Sequence, residues 1–299
     1  MIRLIVLLLG LTSAGVFATG QDLILGVLED VPGVYAGESD HPGVRVVFRK
    51  EGRDWQAFPS NCRDQQCLKR ISSEYPHEVT WTIAFDGRDL GQVVGRTPKE
   101  FHFYSHVGLQ EIADSGSVPI IGKKSTDYGG FTGASVYRPL AANSKPNFRD
   151  PESWKASQLS PDLLGLVRRQ FRRKFPKLCK SSKEDETKLE PLLYHDKDVK
   201  LVKAYASKKS WVVARLHLAE AIDCDDTEAG FEIDDPWFLI DPQKSAKYLD
   251  AGMWLVDAGD YDGDGKSELI FSIDRYNRGG YELFYDDFTK RSVFEFGYH

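Results

Sequence analysis

An acidic loop near residue 264 carries the side chains with the clearest chemical signal. The segment GDYDGDGKSELIF, residues 259–271, places four carboxylates within nine positions. Alternating acidic residues in a tightly curled loop can direct their oxygens at one centre, and a glycine permits the sharp bend. Hard cations prefer six to eight oxygen ligands, so Ca²⁺ is the expected ion. The predicted ligands are Asp260, Asp262, Asp264, the backbone carbonyl of Lys266, and Glu268.

A turn without a metal is the alternative interpretation, because Asp-Gly pairs form turns on their own. A plain turn gains nothing from four carboxylates, since like charges a few ångströms apart repel by roughly 1 kcal/mol or more per pair. The pattern therefore favours an ion. We expect a structural role for it, because the sequence identifies no nucleophile or base beside the loop.

Two features distinguish the loop from an EF-hand. The twelfth position, where a bidentate Glu would close the site, is Phe271, and the loop leads into the strand-like run ELIFSI. The loop resembles the calcium loops of FG-GAP and VCBS repeats in integrin-type propellers and exported bacterial proteins, which place D-x-D-x-D-G-x-x-D between two β-strands. The resemblance implies the same five ligands, with Glu268 replacing the usual Asp. It covers about 30 of 299 residues and occurs once, so it does not imply a propeller.

Short apolar runs separated by turn residues predict a mainly β (α+β) fold with antiparallel sheets. Val79–Phe85 and Leu90–Gly95 flank the turn DGRD, which is typical of a hairpin. The alternating run Phe101–Val107 predicts another strand. In a strand His102 and His106 would lie about 13 Å apart, too far to share a metal ion.

One prominent helix is predicted near residues 160–176. Ser160 is the expected N-cap, Pro161 takes the first helical position, apolar residues recur every three or four positions, and Pro176 ends the run. The helix also has a basic face, which is either simply solvated or an anion-binding surface. The residues of this face are Arg168, Arg169, Arg172, Arg173, Lys174 and Lys177.

Beyond the helix the β pattern returns and continues to the end of the sequence. Changes in composition and the positions of turn residues divide the chain into four predicted parts. These are a signal peptide (1–18), an N-terminal β-rich region (19–150), a helical connector (151–188), and a C-terminal β-rich region that holds the calcium loop (189–299).

Four cysteines in an exported chain are most simply two disulfides, for which three pairings exist. Cys62 and Cys67 enclose four residues, and so short a loop closes easily. Cys179 would then pair with Cys224, and its lysine neighbours would meet the aspartates beside Cys224. Zinc is the alternative, but no cysteine has a CxxC partner.

The first 18 residues combine Arg3, an apolar run and small residues before Ala18, which is typical of a secretory signal peptide. We therefore expect export, to the periplasm or the outside of the cell, with no transmembrane segment after cleavage. A membrane anchor is the alternative, but the apolar run is shorter than the roughly 20 residues that a bilayer requires.

A formal net charge of -6 argues against a nucleic-acid partner, because binding phosphates needs a clustered basic surface. The leading functional hypothesis is a calcium-binding protein with a non-catalytic or envelope-associated role and a protein or glycan partner that the sequence does not identify. The alternative is an envelope or glycan hydrolase with a structural calcium ion. The sequence favours the first over an enzyme, because no catalytic constellation is evident.

Overall fold

The computed structural model of the chain describes residues 23–31, 41–113, 139–144, 148–184, 188–225 and 233–297. The described residues form several antiparallel sheets and two α-helices, which confirms the mainly β fold class. The predicted signal peptide, residues 1–18, lies outside these ranges.

A seven-stranded sheet forms the first layer of the molecule. Its strands run in the order β3-β2-β1-β7-β4-β5, and β6 pairs with β2 beside β3. Helix α1 (Gln65–Ser72) connects β3 to β4, and the predicted hairpin is confirmed as β4 and β5. The strands are β1 (Ile24–Val31), β2 (His41–Glu51), β3 (Asp54–Ala57), β4 (Val79–Phe85), β5 (Arg88–Gly95), β6 (Leu109–Glu111) and β7 (Leu140–Ala142).

The strand predicted for Phe101–Val107 is wrong, because the chain forms a 3₁₀ turn at Tyr104–His106. The backbone N–H groups of His106 and Val107 donate to the carbonyls of Phe103 and Tyr104 within this turn. The buried guanidinium of Arg45 also holds the segment, because it donates hydrogen bonds to the carbonyl oxygens of Ser105 and Val107. The curl brings the rings of His102 and His106 to a centroid distance of 6.4 Å. The alternating aromatic residues of this segment have the two-residue period that is typical of a strand, although no strand forms here.

A five-stranded sheet and the predicted helix form the opposite side of the molecule. Helix α2 (Pro161–Lys174) begins as expected, with the Ser160 side chain accepting the backbone N–H of Leu163. Its apolar face packs on one face of the sheet β15-β14-β12-β11-β8. The strands are β8 (Lys155–Ala156), β11 (Lys200–Ala206), β12 (Val212–His217), β14 (Trp237–Ile240) and β15 (Ala246–Tyr248).

A small three-stranded sheet lies beyond the end of α2. Its order is β10-β9-β13, with β9 (Leu178–Ser181) in the centre between β10 (Leu189–Pro191) and β13 (Ile222–Asp223). Cys179 lies in β9 opposite Ile222, which brings it next to the chain that carries Cys224.

Both predicted disulfides are confirmed, so the four cysteines form Cys62–Cys67 and Cys179–Cys224. The expected charge pairing is also present beside the second disulfide, where Lys177 Nζ lies 3.3 Å from Asp225 Oδ1.

A four-stranded meander forms the central layer. Its strands pair in chain order and are β16 (Met253–Gly259), β17 (Glu268–Arg275), β18 (Arg278–Tyr285) and β19 (Lys290–Gly297). Ile270, Leu283 and Phe294 project into a core shared with the seven-stranded sheet. Leu269 and Phe271 project the other way, into a core shared with the five-stranded sheet. The meander is therefore buried on both faces, which explains why six consecutive residues of β17, 268–273, are buried and why three of them in a row, 269–271, are apolar.

Candidate metal centre

The acidic loop joins β16 to β17 at one end of the central meander. Gly259, the last residue of β16, pairs with Glu268, the first residue of β17, so the two strands close the mouth of the loop. Gly265 has a φ of +85°, a conformation that residues with a Cβ rarely adopt, so the glycine permits the bend that the sequence predicted. The loop thus curls between two strands, unlike the helix-flanked loop of an EF-hand.

The loop gathers three of its four carboxylates. Asp260, Asp262 and Glu268 each offer one oxygen, and these oxygens all lie within 4.8 Å of one another. Asp260 is 7% exposed, Glu268 is 1% exposed, and the side chain of Asp262 is 7% exposed, so all three carboxylates are sheltered from water. No other group of three metal-ligating side chains converges in this way within the described ranges.

Backbone amides hold the carboxylates in place. Gly265 donates to Asp260 Oδ2 at 3.0 Å, and Tyr261 donates to Glu268 Oε2 at 2.7 Å. The second oxygen of the Asp260 carboxylate, Oδ1, is buried and has no hydrogen-bond partner among the described residues. A buried carboxylate oxygen without a partner is costly, and a cation bound at the cluster would satisfy it.

The clustered charges also perturb the acidity of the site. Burial, with the nearby charges of Asp262, Asp264 and Asp260, raises the pKa of Glu268 to about 9. Burial is likewise the main cause that raises the pKa of Asp260. The cluster therefore resists full ionisation by itself, and a bound divalent cation would compensate the charge of the three carboxylates.

Asp264 and Lys266 are the other two predicted ligand residues. Asp264 is exposed, does not belong to the group of three, and accepts the backbone N–H of Lys266 at 2.8 Å. The Lys266 ammonium lies 2.6 Å from Asp287 and 3.1 Å from Asp286, and these hydrogen bonds raise its pKa. Its side chain is thus engaged with the β18–β19 turn.

Two residues far from the loop in sequence contact it, and the sequence analysis missed both. Lys50 of β2 donates from Nζ to Asp262 Oδ2. Asp150, from the proline-rich segment before β8, accepts the hydroxyl of Ser267 at 2.6 Å. Neither contact has a local sequence signal, because each depends on how distant segments pack together.

The donor set suits a hard cation. The three converging ligands are carboxylates, with no converging sulfur or imidazole, and carboxylate oxygens are the ligands that Ca²⁺ prefers. Such a site neutralises charge and fixes a loop.

A separate cavity of about 540 Å³ lies beside the 3₁₀ turn and contains two carboxylates, Glu100 and Glu111. Each forms an ion pair: Lys69 lies 3.4 Å from Glu100, and Arg96 lies 3.5 Å from Glu111. Both carboxylates of this cavity are therefore paired with basic side chains.

The basic face of α2 is partly engaged with its own neighbours. Arg168 donates two hydrogen bonds to the carbonyl of Val199, and Arg172 lies 2.8 Å from Asp196. These contacts agree with the simpler interpretation, a solvated face with local ion pairs.

Comparison with known proteins adds no family assignment, because no family model, curated protein or solved structure matches the chain significantly. Across the described ranges, neither helix has the length and apolar character needed to span a bilayer.

Proposed function

We propose that this chain is an exported calcium-binding protein in which the ion braces the β16–β17 loop, and that its role is non-catalytic binding at the cell envelope or outside the cell. The observation that carries the proposal is the buried Asp260 Oδ1, which belongs to a cluster of three carboxylates and has no hydrogen-bond partner among the described residues. The likeness to FG-GAP and VCBS loops agrees with this reading and forms part of the proposal.

Two lines of reasoning support export. Disulfides persist in oxidising compartments, and the chain has two. Calcium is abundant outside cells, where modules of this kind bind with dissociation constants of about 10⁻⁴ to 10⁻³ M. An ion bound this weakly suits a structural clamp that fills after export.

The decisive experiment compares the protein in calcium and in chelator by thermal melting and isothermal titration. At a calcium concentration 100 times the Kd, binding stabilises the folded state by about 2.7 kcal/mol, which corresponds to roughly 5 °C or more in melting temperature. Asp260→Asn keeps the size of the side chain and removes its charge, so it should abolish the rise. Glu74→Gln, at an exposed position outside the loop, is the matched control and should retain it.

The metal class is tested in the same assay. We expect Ca²⁺ to stabilise the protein more than Mg²⁺, which demands near-ideal octahedral geometry, and more than Zn²⁺, which prefers nitrogen and sulfur ligands. Identical melting curves in calcium and chelator would remove the proposal.

A further inference from the structure

Lys50, a residue of the seven-stranded sheet, contacts the acidic loop with its ammonium group. Lys50 lies on β2 and donates from Nζ to Asp262 Oδ2, across 212 residues of sequence. The contact is sheltered, because the side chains of Lys50 and Asp262 are 16% and 7% exposed. Among the described residues, no other cationic side chain forms an ion pair with a carboxylate of this cluster.

Two aromatic rings fix the position of this ammonium. Lys50 Nζ lies 5.1 Å from the ring centroid of Trp55, its partner on β3, and 5.7 Å from that of Tyr285 on β18. Cation–π attraction favours an ammonium at such distances. The two rings therefore stabilise the ammonium beside the loop even when Asp262 binds another cation.

We infer that Lys50 sets the calcium affinity of the loop as a tethered competing cation, and this inference rests on the proposed function. Its ammonium binds one of the three carboxylates that a calcium ion needs. A divalent ion at the cluster and an ammonium on the same carboxylate repel each other, and the sheltered position weakens solvent screening. Calcium therefore loosens the Lys50–Asp262 contact, and the contact lowers the calcium affinity.

Linkage makes the two effects equal. If the ion pair lowers the calcium affinity by a given factor, bound calcium lowers the equilibrium constant of the ion pair by the same factor. The loop thereby connects calcium concentration to the contact between the seven-stranded sheet and the central meander. The calcium concentration at which the loop binds its ion is thus set by Lys50, a residue outside the loop.

Lys50→Met tests the inference, since methionine keeps an unbranched side chain and removes the charge. In titrations of the whole protein with CaCl₂, we expect Lys50→Met to bind calcium about tenfold more tightly than the unaltered protein, a typical size for coupling between two sites. Its melting temperature in chelator should fall, because Asp262 then lacks its partner. Lys50→Arg keeps the charge and should keep the weaker affinity. An unchanged or weaker affinity in Lys50→Met would overturn the inference.

Lys290→Met is the matched control. Lys290 also bridges the two sheets, at 2.8 Å from Asp54, and also lies near the ring of Tyr285, at 5.9 Å. It makes no ion pair with the three-carboxylate cluster within the described ranges. Its substitution should leave the calcium affinity unchanged, so an increase in this variant as well would contradict a specific role for Lys50.

A measurement on the unaltered protein covers the case in which Lys50→Met fails to fold. Amine acylation read by mass spectrometry should label Lys50 several-fold faster in calcium than in chelator, while Lys290 stays constant. Equal or slower labelling of Lys50 in calcium would overturn the inference. The proposed function fails separately, if the unaltered protein binds no calcium in the titration.

Discussion

The hydroxyl of Tyr281 donates a hydrogen bond to the carboxylate of Glu29, a residue 252 positions earlier in the chain. The same carboxylate accepts Nε of Arg45 at 2.9 and 3.0 Å. Arg45 is 3% exposed and also lies 4.2 Å from the ring centroid of Phe296. A charged network thus lies in the interface between the seven-stranded sheet and the central meander.

Removing the charge of Glu29 should destabilise the protein strongly. Glu29→Gln leaves the buried Arg45 without its counter-ion, which costs about 3–5 kcal/mol, whereas Tyr281→Phe removes one hydrogen bond to a charged group and costs about 1.5–3 kcal/mol. Urea unfolding of both variants measures the difference. If Glu29→Gln proved as stable as the unaltered protein, the network would not contribute to the interface.

Acidification should destabilise the protein through His106. Burial, with the charges of Arg45, His102 and His41, lowers the pKa of His106 to about 4, compared with an ordinary value of 6.5. Between these values the unfolded chain binds a proton that the folded chain rejects. The contribution is therefore complete above pH 6.5 and is lost as the pH falls towards 4, by about 3 kcal/mol at most.

His106→Phe keeps a ring in the same place and should flatten this part of the pH profile of the free energy of unfolding. The exposed His77 is the control, and His77→Gln should leave the profile as it is. A profile for His106→Phe that matches the unaltered protein would show that another group is responsible.

The two disulfides should differ in their contribution to stability. They close loops with sequence separations of 45 and 5 residues. On the chain-entropy model these separations correspond to about 4 kcal/mol for Cys179–Cys224 and about 2 kcal/mol for Cys62–Cys67. Denaturant unfolding of the double alanine variant of each pair should rank them in that order. The reverse order would contradict an entropic origin.

Gly280 should tolerate no side chain. Its φ is +155°, and a Cβ built there would lie 2.0 Å from the carbonyl oxygen of Phe294 on the neighbouring strand. Gly52 also has a positive φ, of +62°, but a Cβ built there would meet no atom of the described residues within 4 Å. We expect Gly52→Ala to cost about 1 kcal/mol of backbone strain and Gly280→Ala to cost clearly more, because the strand must also move. Thermal melting of both variants measures the difference, and equal effects would mean that the β18–β19 pair adjusts easily.

The parts of the fold that follow from local chemistry were predictable from the sequence. Ser160 and Pro161 mark the start of α2 because a cap and a preset φ act within one turn. The acidic loop lies between two strands as expected, because Gly265 and the apolar run after Glu268 act over a few residues. The disulfide pairs followed from loop length and from the charges that flank Cys179 and Cys224.

The rest depends on contacts between distant segments. A 3₁₀ turn replaces the strand expected at Phe101–Val107, and Arg45 of the distant strand β2 holds it by hydrogen bonds to the carbonyls of Ser105 and Val107. At the candidate metal centre the sequence identified the acidic residues, but it did not separate the buried Asp260 from the exposed Asp264. Which of the acidic side chains is buried depends on how the neighbouring layers pack against the loop. Lys50 was missed for the same reason.

The central meander has a consequence for how the rest of the chain can fold. Residues 253–297 lie between two sheets that both precede them in the chain, and they complete the cores on both sides. Without this segment, each earlier sheet presents an uncovered apolar face. A nonsense mutation before residue 253 would therefore produce a chain prone to aggregation and degradation, instead of a smaller folded protein.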